Sequence, residues 1–411
     1  MDIGRFFKKV TVTSLYSALL RGCYAKVTVT FYNFKDTHMK SRIEKLYTAL
    51  EQARLDAVAL NPGPTLTYLT GLNFHLMERP VVMFFVPGQD LALVLPEVEM
   101  PKLQGLAYRV NAFSYPEDPS TWEDAFRTAA QALSLDTLTD AGGKRIGVEP
   151  RALRLLEFRY IQAGARAADF PDASEALGSL RLHKDEAEVQ KMRRAVEIAQ
   201  GALKATIPLI KIGMTERELA TELTVQLLHH GSAPELPFAP IVSSGPNSAN
   251  PHAAPSERKL QPGDLLVVDW GATFEGYISD LTRTFAIEAV DEELAQLHHI
   301  VQQANAAGRA AARPGAAAAE VDKAARGVIE QAGYGAYFTH RTGHGIGLDA
   351  HEPPYIRGDN PQILEPGMAF TVEPGIYLPG RGGARIEDNV VITETGAECL
   401  SEMEREMRVI V

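Results

Sequence analysis

Two aspartates in one apolar stretch are the first residues in this chain whose spacing suggests chemistry. The stretch LLVVDWGATFEGYISDLTRTF (265–285) predicts two strands joined at Glu275-Gly276, where glycine supplies the backbone conformation of a hairpin turn. With that loop, Asp269 lies opposite Thr282, and Asp280 is its diagonal neighbour on the same face. Two carboxylates aimed at one point repel each other unless a cation lies between them. The pair by itself is also compatible with two aspartates that share no role.

Three further residues with metal-ligating side chains follow in strand-like contexts. His344 lies in RTGHGIGLDAHEPP, Glu373 ends an apolar run from Met368, and Glu387 lies in a run from Ala384 to Thr393. The turn-rich PGIYLPGRGG between the two glutamates predicts a second hairpin that carries inward-facing acids. One imidazole and four carboxylates suit Mn, Co or Zn rather than a thiolate-bound structural zinc. Five such ligands exceed one tetrahedral ion and fit two ions about 3.5–4 Å apart.

Composition restricts the class of protein that could carry such a site. The 411 residues, 45% hydrophobic and 23% charged, are typical of a globular protein with two or three domains. A formal charge of -11 argues against nucleic acid or an anionic membrane as the main partner. The two cysteines, Cys23 and Cys399, make no disulfide framework, which fits the cytoplasm. No apolar run approaches the length of a transmembrane helix.

The predicted elements divide the chain into two main domains. Residues 39–172 alternate short apolar strands, such as VVMFFV and LALVL, with amphipathic helices, which predicts an α/β N-terminal domain. Residues 173–184 have the Pro, Gly and Ser content of a linker, and residues 185–411 form the second domain. Residues 1–38, which are basic in an otherwise acidic chain, are expected to lie outside the core fold. An export signal is disfavoured, because the apolar run is short and no cleavage site follows it. The native protein could then begin at Met39.

The second domain is predicted to hold helices between its two hairpins. Apolar residues at helical spacing predict helices over 185–206, 290–313 and 316–332. Thr215 and Glu218 form a capping box that opens another helix. His298 and His299 belong to the helix over 290–313, and we interpret both as surface residues.

The five candidate ligands, in their order and local contexts, resemble the metal-binding pattern of the pita-bread metallopeptidases: Asp269, Asp280, His344, Glu373 and Glu387. That family includes methionine aminopeptidase, aminopeptidase P and prolidase (Xaa-Pro dipeptidase). The resemblance runs from about residue 180 to the C-terminus, and the preceding region resembles the N-terminal domain of the prolidase and creatinase branch. It implies an α+β fold, with a C-terminal pita-bread domain preceded by a smaller α/β domain of the creatinase type.

The resemblance also implies a cofactor, namely two divalent metal ions per subunit, with Mn expected and Co or Zn as alternatives. Asp280 would bind one ion, His344 and Glu373 mainly the other, and Asp269 and Glu387 would bridge the two. Glu373 matches the glutamate that moves a proton from water to the leaving nitrogen in the family.

Four residues outside the ligand set acquire expected roles from the same resemblance. His252, in a loop of prolines and small residues, and His351 match histidines that hydrogen-bond substrate and the developing oxyanion; for His252, a solvated loop residue is the alternative. Arg385 alternates onto the strand face of Glu387 and is expected to organise the carboxylates; a solvated arginine at a strand edge is the alternative. Arg357 is a candidate for binding the substrate's carboxylate by its position alone.

The branch of the family is indicated by two features. The ARIED context of Glu387 and the full N-terminal domain resemble the Xaa-Pro enzymes rather than methionine aminopeptidase. The phrase GHGIGLDAHEPPYI resembles prolidases, so we expect an Xaa-Pro dipeptidase acting on proline-containing dipeptides. Aminopeptidase P, acting on longer peptides, is the alternative. A metal-free creatinase-like enzyme and a non-catalytic pita-bread interaction protein are remote alternatives, because all five ligands are present here.

The assembly expected from the resemblance is a cytoplasmic homodimer without nucleic-acid or membrane partners. The loop that follows NPGPTLTYLTGLNF carries His75 and Arg79, which could border the active site of a neighbouring subunit. Exposed loop residues without such a role are the alternative.

Overall fold

The chain forms two compact units in the computed structural model, which describes residues 27–28, 37–106, 108–138 and 142–410. The first unit ends at Leu177 and the second begins at Gly178. Residues predicted as a linker contain a helix, Ser174–Leu182. Within the predicted extension, Val27–Thr28 pair with a strand of the first unit, whereas residues 1–26, which include Cys23, and residues 29–36 lie outside the described residues.

The helices of the described residues are α1 (Thr37–Gln52), α2 (Pro64–Thr70), α3 (Trp122–Ala132), α4 (Leu155–Gly164), α5 (Ser174–Leu182), α6 (Glu186–Thr206), α7 (Glu216–His229), α8 (Glu292–Ala311) and α9 (Ala318–Gln331). The strands of the first unit are β1 (Val27–Thr28), β2 (Ala57–Leu60), β3 (Val82–Phe85), β4 (Leu91–Pro96), β5 (Val110–Tyr115) and β6 (Ile146–Gly147). Those of the second unit are β7 (Ile241–Ser244), β8 (Leu265–Trp270), β9 (Thr273–Phe274), β10 (Tyr277–Ile278), β11 (Leu281–Ile287), β12 (Gly343–Gly345), β13 (Glu352–Ile356), β14 (Ala369–Val372), β15 (Gly375–Leu378), β16 (Gly382–Arg385), β17 (Asp388–Ile392), β18 (Ala397–Cys399) and β19 (Val409–Ile410).

The first unit is built on one mixed sheet with the strand order β1-β5-β4-β3-β2-β6. Its three central strands, β2, β3 and β4, are buried along their whole lengths, as their continuous apolar sequences predict for strands covered on both faces. Helix α3 contributes Phe126 and Ala129 to the core on one side of the sheet. The predicted α/β alternation of this region is therefore observed.

The second unit contains two main sheets, β19-β11-β8-β7 and β13-β12-β14-β17-β18. Strands β8 and β11 are antiparallel with Thr282 opposite Asp269, which confirms the predicted register. The turn of the first hairpin uses left-handed backbone at Glu275 (φ 48°) and Gly276 (φ 83°), as a two-residue loop requires. An isolated bridge between Thr282 and Glu387 connects the two sheets.

The second predicted hairpin is more complex than its sequence indicates. The run from Ala384 to Thr393 is two strands, β16 and β17, with Glu387 between them. Strand β14 pairs with β17, whereas β15 and β16 form a separate two-stranded ribbon inserted between them. The insertion was hidden because PGIYLPGRGG has the composition of a turn, yet Gly375, Gly382 and Gly383 lie in paired strands.

Helices α6 and α7 of the second unit begin where the sequence predicts, and α8 and α9 begin two residues later than predicted. Asp185 caps α6 and Thr215 caps α7, each in a reciprocal capping box with the glutamate three residues later, Glu188 and Glu218. None of the helices in the described part of the chain is long and apolar enough to cross a membrane. The described chain contains helices together with mixed and antiparallel sheets, which confirms the predicted α+β class.

The prediction for His298 is wrong. Its side chain is only 2% exposed, whereas the neighbouring His299 is exposed. His298 lies one turn after Leu294 and next to Leu297 in α8, so it belongs to the apolar face that packs into the core.

Candidate metal centre

The five predicted ligands are carried by strands or by the residues that flank them. Asp269 lies near the end of β8, and Asp280 directly precedes β11. His344 is the central residue of β12, Glu373 follows β14, and Glu387 directly precedes β17. Because β8 pairs with β11 and β12 and β17 flank β14, the two sheets direct these side chains toward one region.

The ligating atoms of the candidate residues lie close together in the interior. Ligand atoms of Asp280, His344 and Glu387 all lie within 4.8 Å of one another, and the three residues are buried. The His344 Nε2 atom is 3.7 Å from Asp280 Oδ2 and 3.4 Å from Glu373 Oε1. Asp269 is close enough for its charge to raise the pKa of Asp280. All five predicted residues therefore belong to one cluster.

Burial and mutual repulsion dominate the electrostatics of this cluster. Burial, followed by the charges of Asp269 and Glu373, raises the pKa of Asp280 well above its usual range. The pKa of Glu387 is raised in the same way, by burial and then by Asp280 and Glu373. Burial also raises the pKa of Glu373 to about 7 and holds the pKa of His344 well below its ordinary value. Four carboxyls and a neutral imidazole in one buried place could hold metal ions, which would relieve this repulsion.

Two buried oxygens give an independent test of whether a metal fits. Glu387 accepts a hydrogen bond from Thr282 Oγ1 through Oε2 (2.7 Å), and Asp269 pairs with Arg385 through Oδ2 (2.5 Å). Their second oxygens, Glu387 Oε1 and Asp269 Oδ1, are buried and have no hydrogen-bond partner among the described residues. Buried acceptors without donors are rare in folded proteins. A pair of divalent cations would satisfy both oxygens, so the residues present fit the group.

Glycines allow the strand that carries His344 to approach its neighbours. A Cβ atom on Gly343 would lie 1.8 Å from the Thr371 carbonyl oxygen, and one on Gly345 would lie 2.2 Å from the Pro353 oxygen. Any other residue at either position would move the backbone of β12. The glycines of the GHG phrase therefore serve close packing around the ligand.

Arg385 is buried within the cluster rather than solvated at a strand edge. Besides Asp269, its guanidinium donates to Thr282 Oγ1 (3.1 Å), to the Pro251 carbonyl (3.2 Å) and to Tyr377 Oη (2.9 Å). It lies among the carboxylates that it was expected to organise, and it holds Asp269 in one orientation.

Sequence reasoning missed two residues that continue this network. The Tyr377 hydroxyl lies 2.9 Å from His340 Nε2, and His340 Nδ1 lies 2.7 Å from the carbonyl oxygen of Arg341. Since Arg385 occupies a lone pair of the hydroxyl, Tyr377 donates to His340 Nε2, and Nδ1–H donates to the carbonyl. Burial lowers the pKa of His340 to about 4, which keeps the ring neutral as this pattern requires. The only available signal was the position of His340 four residues before His344.

A second missed group anchors the segment that carries Glu387. The Arg283 guanidinium donates to the Glu387 carbonyl oxygen (2.8 Å) and to Asp388 Oδ1 (2.8 Å). Asp388 also pairs with Arg405, and these two arginines lower its pKa to about 2. The buried ion pairs fix the backbone on both sides of Glu387, although the sequence shows only alternating charge there.

The remaining predicted residues differ in their placement. His351 stacks edge-to-face on His344, with ring centroids 4.1 Å apart, and the charge of His252 influences the pKa values of both Asp269 and His351. Both histidines therefore lie beside the cluster, with exposed surface toward solvent. Arg357, in contrast, is exposed and pairs with Asp359 (2.9 Å).

The two candidates in the first unit are loop residues. His75 is exposed. Arg79 binds both carboxylate oxygens of Glu117 and also pairs with Glu78. Neither arrangement bears on their expected role at a neighbouring subunit.

Comparison with known proteins matches both parts of the chain. A model of metallopeptidase family M24 matches residues 190–394, and a model of the creatinase/prolidase N-terminal domain matches residues 42–183. The Xaa-Pro dipeptidase of Lactobacillus delbrueckii subsp. lactis is 32% identical over 369 residues, which cover 90% of this chain and 98% of that protein.

Solved structures agree with the sequence relatives. A dipeptidase from Pyrococcus horikoshii OT3 superposes with a TM-score of 0.83 at 37% identity and covers 90% of this chain and 99% of its own. A recombinant prolidase from Thermococcus sibiricus gives a TM-score of 0.84 at 33% identity, with 90% and 99% of the two chains covered. The similarity therefore extends over nearly the whole length of each neighbour.

Proposed function

This chain belongs to metallopeptidase family M24, with a creatinase-type N-terminal domain before a pita-bread domain, and on that premise we propose that it is an Xaa-Pro dipeptidase. The proposed enzyme hydrolyses the peptide bond before proline in dipeptides. Relatives named dipeptidase or prolidase, similar over 90% of this chain, support this choice within the family.

One observation carries the proposal, namely the buried cluster in which Asp280, His344 and Glu387 bring ligand atoms within 4.8 Å of one another. A structural ion pair would place a cationic side chain among these acids. Among the described residues, the one guanidinium within ion-pair distance of these four carboxyls is that of Arg385, and two of the carboxyl oxygens have no hydrogen-bond donor. Bound divalent cations would neutralise this excess of buried acid.

We propose that two divalent ions are held by Asp269, Asp280, His344, Glu373 and Glu387. Mn is expected, with Co and Zn as alternatives, because the donors are mainly carboxylate oxygens with one imidazole. When bound, such a pair polarises the carbonyl of the scissile bond and lowers the pKa of water at the site.

The proton transfers are assigned to Glu373. Its carboxyl lies 3.4 Å from His344 Nε2, and its side chain is 15% exposed, more than those of Asp269 and Asp280, so it is the acid that incoming water and substrate can reach. The nitrogen of proline leaves as a secondary amine and must gain one proton, which Glu373 would deliver. Arg385 fixes Asp269 and does not titrate in this range.

His252 and His351 are assigned to the substrate. Both flank the cluster from loops, where an imidazole can donate a hydrogen bond to the carbonyl oxygen as negative charge develops on it. The bond before proline is a tertiary amide without an N–H group, so recognition must come from a pocket shaped for the ring. We further propose a cytoplasmic homodimer, in which His75 and Arg79 border the neighbouring site.

The test is hydrolysis of a Xaa-Pro dipeptide compared with a Xaa-Pro-Yaa-Zaa tetrapeptide by the chelated protein, before and after Mn is added. We expect turnover only with the metal and a higher kcat/KM for the dipeptide. Faster cleavage of the tetrapeptide would instead assign aminopeptidase P activity. Turnover that survives complete chelation would contradict the metal-dependent mechanism.

A further inference from the structure

Arg341 lies three residues before His344 and is the feature of the site that the proposed mechanism does not use. Its side chain is half-buried, and its guanidinium lies over the ring of Tyr355 in β13, with Cζ 4.9 Å from the ring centroid. The backbone on either side of Arg341 is anchored. Its own carbonyl accepts from His340 Nδ1, and Thr342 donates through its N–H and its hydroxyl to the buried Asp322.

Strand pairing sets the position of Arg341 relative to the catalytic residues. The Thr342 N–H donates to the Ile356 carbonyl oxygen (3.0 Å) and Gly343 lies opposite Ile356, so Arg341 lies just before β12 and beside the end of β13. Its charge lowers the pKa of His351 (second only to burial) and also lowers the pKa values of His344 and Glu373. It is not among the principal influences on Asp269, Asp280 or Glu387. The guanidinium therefore lies on the side of the cluster that carries His351 and Glu373.

Other partly or fully buried arginines of this unit have carboxylate partners. Arg385 pairs with Asp269, Arg283 with Asp388, and Arg326 with Asp322 at 3.0 Å. Arg341 has no carboxylate within ion-pair distance and no side-chain hydrogen bond in the parts of the chain that the structure describes. Stacking on an aromatic ring leaves the edge of the guanidinium, with its forked donors, available for a planar anion.

We propose that Arg341 binds the free C-terminal carboxylate of the substrate and so determines the preference for dipeptides. The inference rests on the proposed function. Two divalent cations balance the four carboxylates of the centre, so the positive charge of Arg341 remains for an anionic part of the substrate. An Arg–carboxylate pair is bidentate and therefore selective for the acid over an amide or a longer chain. This assignment replaces Arg357, which is exposed and already paired with Asp359.

The experiment compares Arg341→Met with the wild-type protein on Xaa-Pro and on the same dipeptide with an amidated C-terminus, both with Mn. We expect KM for the acid to rise about 10–100-fold with kcat within about threefold, while kcat/KM for the amide changes by less than about threefold. Arg341→Lys keeps the charge but loses the fork, so its preference for acid over amide should be intermediate. Arg194→Met, an exposed arginine of α6 paired with Glu197, is the matched control and should behave as wild type.

Three results would overturn the inference. The first is an equal loss of kcat/KM on the acid and on the amide in Arg341→Met. The second is a loss of kcat/KM in that variant only for dipeptides with an acidic residue before proline. The third is a loss of the preference for acid over amide in Arg357→Met but not in Arg341→Met. Far-UV circular dichroism establishes that each variant is folded before its kinetics are compared. If the wild-type protein with Mn cleaves neither dipeptide nor tetrapeptide, the proposed function itself has failed. That outcome is distinct from any of the three.

Discussion

At the residue scale, the centre depends on how each acid is restrained. Asp269 and Glu387 each use one oxygen in a hydrogen bond or ion pair with the protein and leave the other without a donor in the described residues. Glu373 differs, because it is the acid whose pKa is raised to about 7 and whose side chain retains some exposure. A carboxyl that exchanges protons with substrate must be accessible to it.

Replacement of Glu373 by glutamine tests this difference. Glutamine has nearly the same shape but cannot carry a proton, so we expect kcat on a Xaa-Pro dipeptide to fall about 10²–10⁴-fold. Glu365→Gln is the control, since Glu365 is exposed and pairs with His183 outside the centre. Turnover within a few-fold of wild type would remove Glu373 from the proton-transfer role.

The hydroxyl of Tyr377 is predicted to restrain Arg385. In Tyr377→Phe, Arg385 loses an acceptor and His340 Nε2 loses a donor, each at 2.9 Å. Leaving such buried groups unsatisfied costs about 1–3 kcal/mol in the free energy of unfolding. We expect urea denaturation to show that loss and kcat to fall about tenfold with KM little changed. Tyr337→Phe, at an exposed tyrosine, should alter neither quantity.

At the scale of the element, α8 shows how a buried histidine makes stability depend on pH. His298 is packed against the sheet, and its Nε2 has no hydrogen-bond partner among the described residues. Burial lowers its pKa from the ordinary 6.5 to about 4. Between those values the unfolded chain binds a proton that the folded chain does not, so acid favours unfolding.

The prediction for His298 compares His298→Leu with wild type by urea denaturation at several pH values. The contribution of a neutral His298 is fully present above pH 6.5 and decreases as the pH falls toward 4, by up to about 3 kcal/mol. The free energy of unfolding of wild type should therefore decrease relative to that of the variant over this range. His299→Leu, at the exposed neighbour, is the control. Parallel pH profiles for His298→Leu and wild type would show that His298 makes no pH-dependent contribution to the free energy of unfolding.

At the scale of the whole molecule, the metal centre joins the two sheets of the second unit. Thr282 and Glu387 bridge the sheets through their backbones, and the cluster forms at the same place. Four carboxyls held together without cations repel one another, and bound cations convert the repulsion into attraction. The stability of the unit should therefore depend strongly on metal.

Thermal unfolding of the variant Asp280→Asn distinguishes repulsion among the carboxyls from stabilisation by bound metal, and it needs no activity assay. In chelator, removing one carboxylate should raise the thermal unfolding midpoint by a few degrees, because repulsion decreases. With excess Mn the order should reverse, because wild type binds the ions more tightly and gains more stability from them. If Mn left the midpoint of wild type unchanged, the cluster would not be a metal site.

Much of this architecture follows from local sequence. The pairing of Asp269 with Thr282 was predictable because a two-residue Glu-Gly loop sets the register of the strands on either side. The starts of α6 and α7 were predictable because a capping box is contained within four residues. The identities of the five candidate ligands followed from the same source, since each lies in a distinctive short phrase.

Only the tertiary structure decided the surroundings of those ligands. Arg385 meets Asp269 across 116 positions of sequence, and Tyr377 meets His340 across 37. The burial of His298 depends in the same way on how sheets and helices pack, as does the absence, among the described residues, of a carboxylate partner for Arg341. Residues near in sequence constrain one another through backbone geometry, which a single sequence displays. Residues far apart constrain one another only after packing has brought them together, so their partners could not be read from spacing.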